Sequence, residues 1–388
     1  MAMRTKPRID IGICLVCLLA ILFSVAPFST ADELRQAPGT FFAGADISAL
    51  PDMEKAGAVY RDEQNRPGDA LAILRSHGCN LFRVRLFVEP QQNSHNPGGP
   101  VQNLDEVLGL ARRINSANAT FLLDIHYSDT WADPAHQIMP ASFAGLHGQQ
   151  LEQRVHDYTA GVLKTLGEND VMPQMVQVGN EITCGFLWPD GLLWKAQGEK
   201  EDQQWREFAR LLAAGCRAVR EASTPTRPIR IVIHADGGGG PGSMAFFQKL
   251  HATMPIDFDV IGLSFYPAWG NSIDTLKKSL PVLIATYHKD VFLAETSYSW
   301  AELPNIHRPA MIWPQTPEGQ EEFLKAVTQL CRSQPGGHGI GYAWWFPEAI
   351  PIAGHGSWRG GREALFDRGG RLLPAADLMR VTLDGATR

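Results

Sequence analysis

Eight short apolar segments, each separated from the next by a longer intervening stretch, constrain this chain more than any other feature. They are FFAGAD from Phe41, LFRVRLF from Leu81, TFLLDIH from Thr120, MVQVGNE from Met175, IRIVIH from Ile229, DVIGLSFY from Asp259, VFLAET from Val291 and GYAWW from Gly341. Between them lie helix-like patterns such as NLDEVLGLARRINSANA, where Leu104, Val107, Leu108 and Ala111 fall at the spacing of one helix face. DQQWREFARLLAAGCRAVREA and TPEGQEEFLKAVTQLC are further helical stretches. Strands that alternate with helices pair in parallel through crossover helices, and eight such units close a barrel. The expected fold class is α/β, a (β/α)8 TIM barrel built as a single domain over residues 32–388.

The first 31 residues are set aside from that domain. Arg4, Lys6 and Arg8 precede an apolar run from Ile11 to Phe23 that ends in Ser29, Thr30 and Ala31, the pattern of a secretory signal peptide. The run is too short to favour a membrane span, and Ile13 and Val16 stand before Cys14 and Cys17 where lipid attachment wants a small residue. A secreted or periplasmic protein is expected, with no membrane contact after signal removal. Loss of Arg4, Lys6, Arg8 and Asp10 takes the formal charge from −6 to −8. A mildly acidic surface of this kind lacks the basic stripe that nucleic acid requires and suits an uncharged ligand.

Cys79, Cys184, Cys216 and Cys331 remain after processing. Their spacing contains no Cys-x-x-Cys, which disfavours structural zinc. Buried thiols and one disulfide stay open as alternatives, with pairing unassigned. The Gly-rich DGGGGPG at Asp236 lacks the Lys and Ser/Thr of a nucleotide loop and reads as a strand-to-helix loop.

Active sites of such barrels form at the carboxyl ends of the strands, so polar residues that close apolar segments are the candidates. They are Arg83 and Arg85 on strand two, Asp124 and His126 on strand three, and Asn180 and Glu181 on strand four. His234 follows on strand five, Tyr266 on strand six, Glu295 on strand seven and Trp345 on strand eight. Taken singly, a glutamate at a strand end is more often solvated or ion-paired than catalytic. Two of them, Glu181 and Glu295, from strands across the mouth from one another, meet a joint requirement of glycosidic cleavage. One carboxyl protonates the leaving oxygen, and the other meets the positive charge developing at the anomeric carbon. Tyr266 is placed to hold Glu295 ionised, Trp345 offers a ring face to a sugar, and an arginine from strand two stabilises a carboxylate below the ring.

These segments resemble glycoside hydrolase family 53, the endo-β-1,4-galactanases, over nearly the whole mature chain. The resemblance rests on GADISALPDMEKAGAVYRD, LFRVRLFVEP, LLDIHYSDTWADPAHQ, MVQVGNEITCGFLWPDG, DFDVIGLSFYPAWGNSIDTL, VFLAETSYSW and GSWRGGREALFD. It implies Glu181 as acid/base and Glu295 as nucleophile of a retaining enzyme. It also implies Asp46, Asn180, His126, Arg85, Tyr266 and Trp345 as substrate-binding residues, with no cofactor and no metal. β-1,4-Galactan is the implied polysaccharide substrate, and a monomer is expected. Trp131, Trp188, Trp269 and Trp358 sit in loops after strands, and at least two should line a groove where rings stack on sugars.

Two places depart from the pattern. WWFPEAIP after strand eight puts Phe346 where relatives carry an acidic residue and moves a carboxylate to Glu348. HADGGGG after strand five puts Gly237 in place of an amide. The loop over residues 297–316 carries Glu302 as its one carboxylate, so no calcium is expected there. Competing readings are a related endo-glycanase acting on mannan or cellulose, a non-catalytic glycan-binding barrel, and a metal amidohydrolase drawing on Asp124, His126 and His234. The last of these normally needs a His-x-His pair, which FFAGADIS lacks.

Overall fold

A computed structural model describes residues 40–90, 101–193, 197–306 and 308–380. The signal segment over residues 1–31 lies outside the described residues. Eight parallel strands close into a barrel: β1 (Phe42–Asp46), β2 (Leu81–Leu86), β3 (Thr120–Ile125), β4 (Met175–Val178), β5 (Arg230–Ala235), β6 (Val260–Phe265), β7 (Asp290–Thr296) and β8 (Gly339–Trp344). Every one falls on a segment expected from the sequence.

Helices α1 (Ala70–Ser76), α2 (Leu104–Ser116), α3 (Gly148–Glu168), α4 (Glu199–Ala222), α5 (Pro241–Thr253), α6 (Ile273–Tyr287) and α7 (Pro317–Arg332) connect successive strands. After β8 a 3-10 turn over Pro374–Met379 packs on α7 in place of an eighth helix. The helices form where an apolar stripe meets a capping residue. In α2 the Asn103 side chain accepts from the Glu106 backbone N–H, while Val107, Leu108, Leu110, Ala111 and Ile114 bury one face. A short hairpin, Tyr60–Arg61 with Pro67–Gly68, lies outside the barrel.

Strand alternation explains where the chemistry sits. One apolar cluster fills the barrel interior, drawing Phe42, Leu81, Leu122, Met175, Val232, Val260, Phe292 and Ile340 from β1 to β8 in turn. Side chains two residues further along a strand share its face. The next inward positions are therefore Arg83, Asp124, Gln177 and His234, so the apolar plug carries a polar layer toward the carboxyl ends.

β7 departs from this alternation. Gly262 pairs with Phe292 but Ser264 pairs with Glu295, and on the other side Tyr342 pairs with Leu293 but Trp344 with Thr296. One extra residue on β7 forms a bulge, a feature that re-aims side chains beside active sites. Phe292 and Ala294 both belong to the interior cluster, and strict alternation would then turn residue 295 outward. The bulge turns Glu295 inward instead.

Candidate active site

The barrel mouth opens into a cavity of about 820 Å³ whose wall includes Glu181 and Glu295. β4 ends at Val178, and Glu181 follows in the left-handed conformation at φ 46°, ψ 51°. That conformation is uncommon for a residue with a side chain and recurs at functional sites. Glu181 Oε1 accepts a hydrogen bond from Ser264 Oγ at 2.5 Å. Behind it, His234 Nδ1 lies 2.9 Å from Asn180 Oδ1 and 3.4 Å from the Glu181 backbone N, and Nε2 lies 2.9 Å from Ser264 Oγ, contacts that a neutral imidazole meets with one nitrogen donating and the other accepting. Burial holds His234 well below its ordinary value, consistent with this neutral ring.

Glu295 has a different set of neighbours. Tyr266 Oη donates to its Oε2 at 2.8 Å, and Arg83 Nη2 lies 3.0 Å from its Oε1. Arg83 is entirely buried and also reaches Asp46 Oδ2 at 2.7 Å, Asp124 Oδ2 at 2.8 Å, Asn180 Oδ1 at 2.8 Å and Gln177 Oε1 at 3.2 Å. The planar fork of the guanidinium thus fixes Glu295, Asn180 and the layer below them in one arrangement.

These surroundings push the two carboxyls differently. Burial raises Glu181 well above the usual carboxylate range and the charge of Glu295 raises it further, offset in part by Ser264. Burial also raises Glu295, but Arg83 and Tyr266 oppose it, and it comes to about 7. When the pair holds a single proton, that proton sits on Glu181. The cavity therefore holds one carboxyl that keeps its proton and one carboxylate supported by a cation, groups able to donate a proton and to attack an electrophilic carbon.

Among the sequence candidates, Asn180, Arg85, Tyr266, Trp345, Trp131, Trp269 and Trp358 also line the cavity. The Arg85 guanidinium carbon lies 4.6–4.8 Å from the ring centres of Trp131, Trp345 and Phe346 and bonds Asp46 Oδ1 at 2.9 Å. Three expected contacts fall outside the cavity wall. Asp46 is buried between Arg83 and Arg85. His126 is buried behind Trp131, with Nε2 at 2.9 Å from Asp124 Oδ2 and Nδ1 accepting from the Ala132 N–H. Trp188 turns its Nε1 to the Cys184 carbonyl at 3.0 Å.

Glu348 is also outside the wall. Its Oε1 accepts from the Ala49 N–H at 2.9 Å, and it is fully buried. Sequence reasoning left Gln177, Ser264, Asp236 and Asn271 out of the site, and of the two strand-two candidates, Arg83 and Arg85, the resemblance implied only Arg85 as substrate-binding. Arg83 carried a signal, since it shares its strand face with Arg85, but alternation does not say which arginine reaches Glu295. The four cysteines among the described residues, Cys79, Cys184, Cys216 and Cys331, are free thiols. Asp124, required by the amidohydrolase reading, is engaged by Arg83 and His126 on Oδ2 and by Gln177 on Oδ1 at 2.6 Å. The adjacent guanidinium would repel a metal cation there.

The model of glycosyl hydrolase family 53 matches residues 42–379. An arabinogalactan endo-β-1,4-galactanase of Cellvibrio japonicus is 33% identical over 92% of this chain and 93% of its own length. The family 53 catalytic domain of Ignisphaera aggregans superposes with a TM-score of 0.79 at 30% identity, covering 89% of this chain and 97% of that one. A fungal β-1,4-galactanase gives 0.77 at 29% identity, covering 87% and 98%.

Proposed function

We propose, from the premise that the chain belongs to glycosyl hydrolase family 53, that it is a retaining endo-β-1,4-galactanase with Glu181 as acid/base and Glu295 as nucleophile. The observation that carries this reading is the contrast between the two carboxyls. One rests on a neutral serine in a buried setting; the other is held by Arg83 and Tyr266 on the same cavity.

In the first step Glu295 attacks the anomeric carbon while Glu181 gives its proton to the departing glycosidic oxygen, leaving a glycosyl ester on Glu295. In the second step Glu181, now a carboxylate, takes a proton from water as that water attacks the same carbon. The ester breaks, Glu295 returns as carboxylate, and the two inversions retain the β configuration. Asn180, held by Arg83 and donating to the Ala132 carbonyl at 2.8 Å, stands beside the reacting ring, and Trp345 supplies an apolar face. An open cavity bordered by Trp131, Trp269 and Trp358 suits a polymer that extends past the cut on both sides.

Export through the segment over residues 1–31, release as a secreted or periplasmic protein, and action as a monomer complete the reading. Among the described residues no helix is long and apolar enough to cross a membrane. The test is a hydrolysis panel of unbranched galactan, mannan and carboxymethyl cellulose, read by viscosity and by NMR of the nascent product. A rapid fall in galactan viscosity with β-anomer formed first is expected. Faster cleavage of mannan or cellulose, release of galactose alone, or an initial α-anomer would overturn it.

A further inference from the structure

The wall beside Glu181 holds a further carboxyl, which in the two-carboxylate chemistry neither attacks the anomeric carbon nor protonates the leaving oxygen. Asp236, the first residue after β5, lines the cavity, and its backbone N–H donates to Thr183 Oγ1 at 3.2 Å, two residues beyond Glu181. Its Oδ1 is buried without a hydrogen-bond partner. A buried acceptor left unpaired costs free energy and calls for an explanation.

Asn271 stands on the same wall. Its Oδ1 is committed to the Tyr266 backbone N–H at 2.9 Å, which leaves its amide NH2 as the group offered to a ligand. The loop after β5 makes room for it. A Cβ on Gly238 would lie 2.9 Å from both Cβ and Cγ of Asn271, and Gly238 has φ +59°, where side chains are strained. Gly237, beside Asp236, likewise adds no side chain between these groups. Trp269, two residues before Asn271, is 62% exposed and closes the rim.

We propose that Asp236 and Asn271 form an acceptor–donor pair that binds adjacent hydroxyls of the leaving sugar, with Trp269 against that sugar's apolar face. The inference rests on the roles given above to Glu181 and Glu295, because the sugar beside the proton donor is the one that departs. The pair explains the glycine-rich loop: the amide missing at Gly237 is supplied from the neighbouring β6 loop, through the space that Gly238 leaves open. A hydroxyl that donates to Asp236 and another that accepts from Asn271 satisfy both groups at once. A phenolic leaving group satisfies neither.

Asp236→Asn and Asn271→Asp test this. The second variant keeps the oxygen that accepts from Tyr266, so it removes the donor without freeing the Tyr266 N–H. The readout is kcat/KM on a galacto-oligosaccharide, divided by kcat/KM on an aryl β-galactobioside with a good leaving group. Both report steps through bond cleavage, and the aryl substrate needs little help from Glu181. Each variant should lower this ratio roughly tenfold or more, the size of one lost hydrogen bond to a polar or charged group. Transfer of the glycosyl group to added galactose oligosaccharides should fall with it.

An unchanged ratio, whether both activities fall together or neither falls, would overturn the pair. The substrate assignment fails separately. If the unsubstituted protein cleaves another β-linked oligosaccharide in preference to galactan, the same ratio measured with that oligosaccharide still decides the role of Asp236 and Asn271.

Discussion

Replacing Glu348 with glutamine should make the protein less sensitive to alkaline pH. Glu348 is fully buried, with Oε1 on the Ala49 N–H and Oε2 without a partner. Burial raises it from 4.5 to about 8, and the nearby charge of Asp46 adds to the rise. A carboxyl raised on folding binds its proton more tightly in the folded state. Its contribution is complete below the unfolded value and is lost as pH rises through the folded one.

The interval from 4.5 to about 8, at about 1.4 kcal/mol for each pKa unit, sets a ceiling of about 5 kcal/mol. Between roughly pH 5 and pH 9 about 4 kcal/mol of it is lost, and relaxation around the ionised group reduces this to no less than about 2 kcal/mol. Glu348→Gln keeps an oxygen for Ala49 and cannot ionise. Urea unfolding of both proteins at the two pH values measures the difference. The variant should gain about 2–4 kcal/mol relative to the parent on going from the acid to the alkaline condition. Parallel loss of stability in both proteins would refute the assignment of a buried, proton-holding Glu348.

Other consequences follow from the same contacts. Arg83→Met should cost roughly 3–5 kcal/mol in urea unfolding, because Asp46, Asp124 and Glu295 lose their shared cation; unaltered stability would contradict the network. Tyr266→Phe removes the hydrogen bond that lowers Glu295, so Glu295 should rise further above about 7. The acid limb of kcat/KM then moves to higher pH, and a limb that stays or moves down contradicts the role of the phenol. Trp269→Ala should lower kcat/KM on polymer roughly tenfold while sparing a small aryl glycoside, by loss of a ring that stacks on sugar. Trp188→Ala should show no such preference for polymer, since Trp188 lies outside the cavity wall.

The barrel was legible because each strand is an apolar run closed by a polar residue, and helical periodicity fills the intervals. Glu181 and Glu295 were legible for the same reason. The inward turn of Glu295 was not, because it depends on a one-residue bulge that appears only when β7 is paired with both neighbours. Arg83 and Arg85 share one strand face and differ by roughly 6.6 Å in height, so the sequence offered two candidates for one contact. His126 and Asp46 were expected at the surface of the site, yet their hydrogen-bond partners lie in the layer beneath it. Asn271 escaped notice because its place in the site comes from a glycine on a different loop.

Covalent labelling tests the central claim most directly. A 2-deoxy-2-fluoro galactobiosyl fluoride slows both chemical steps by destabilising the cationic transition state, while its reactive leaving group still lets the glycosyl-enzyme form and accumulate. Digestion and mass spectrometry should place one disaccharide on the peptide containing VFLAETSYSW, at Glu295. A label on Glu181, or absence of any label together with an α-configured first product, would contradict the assignment.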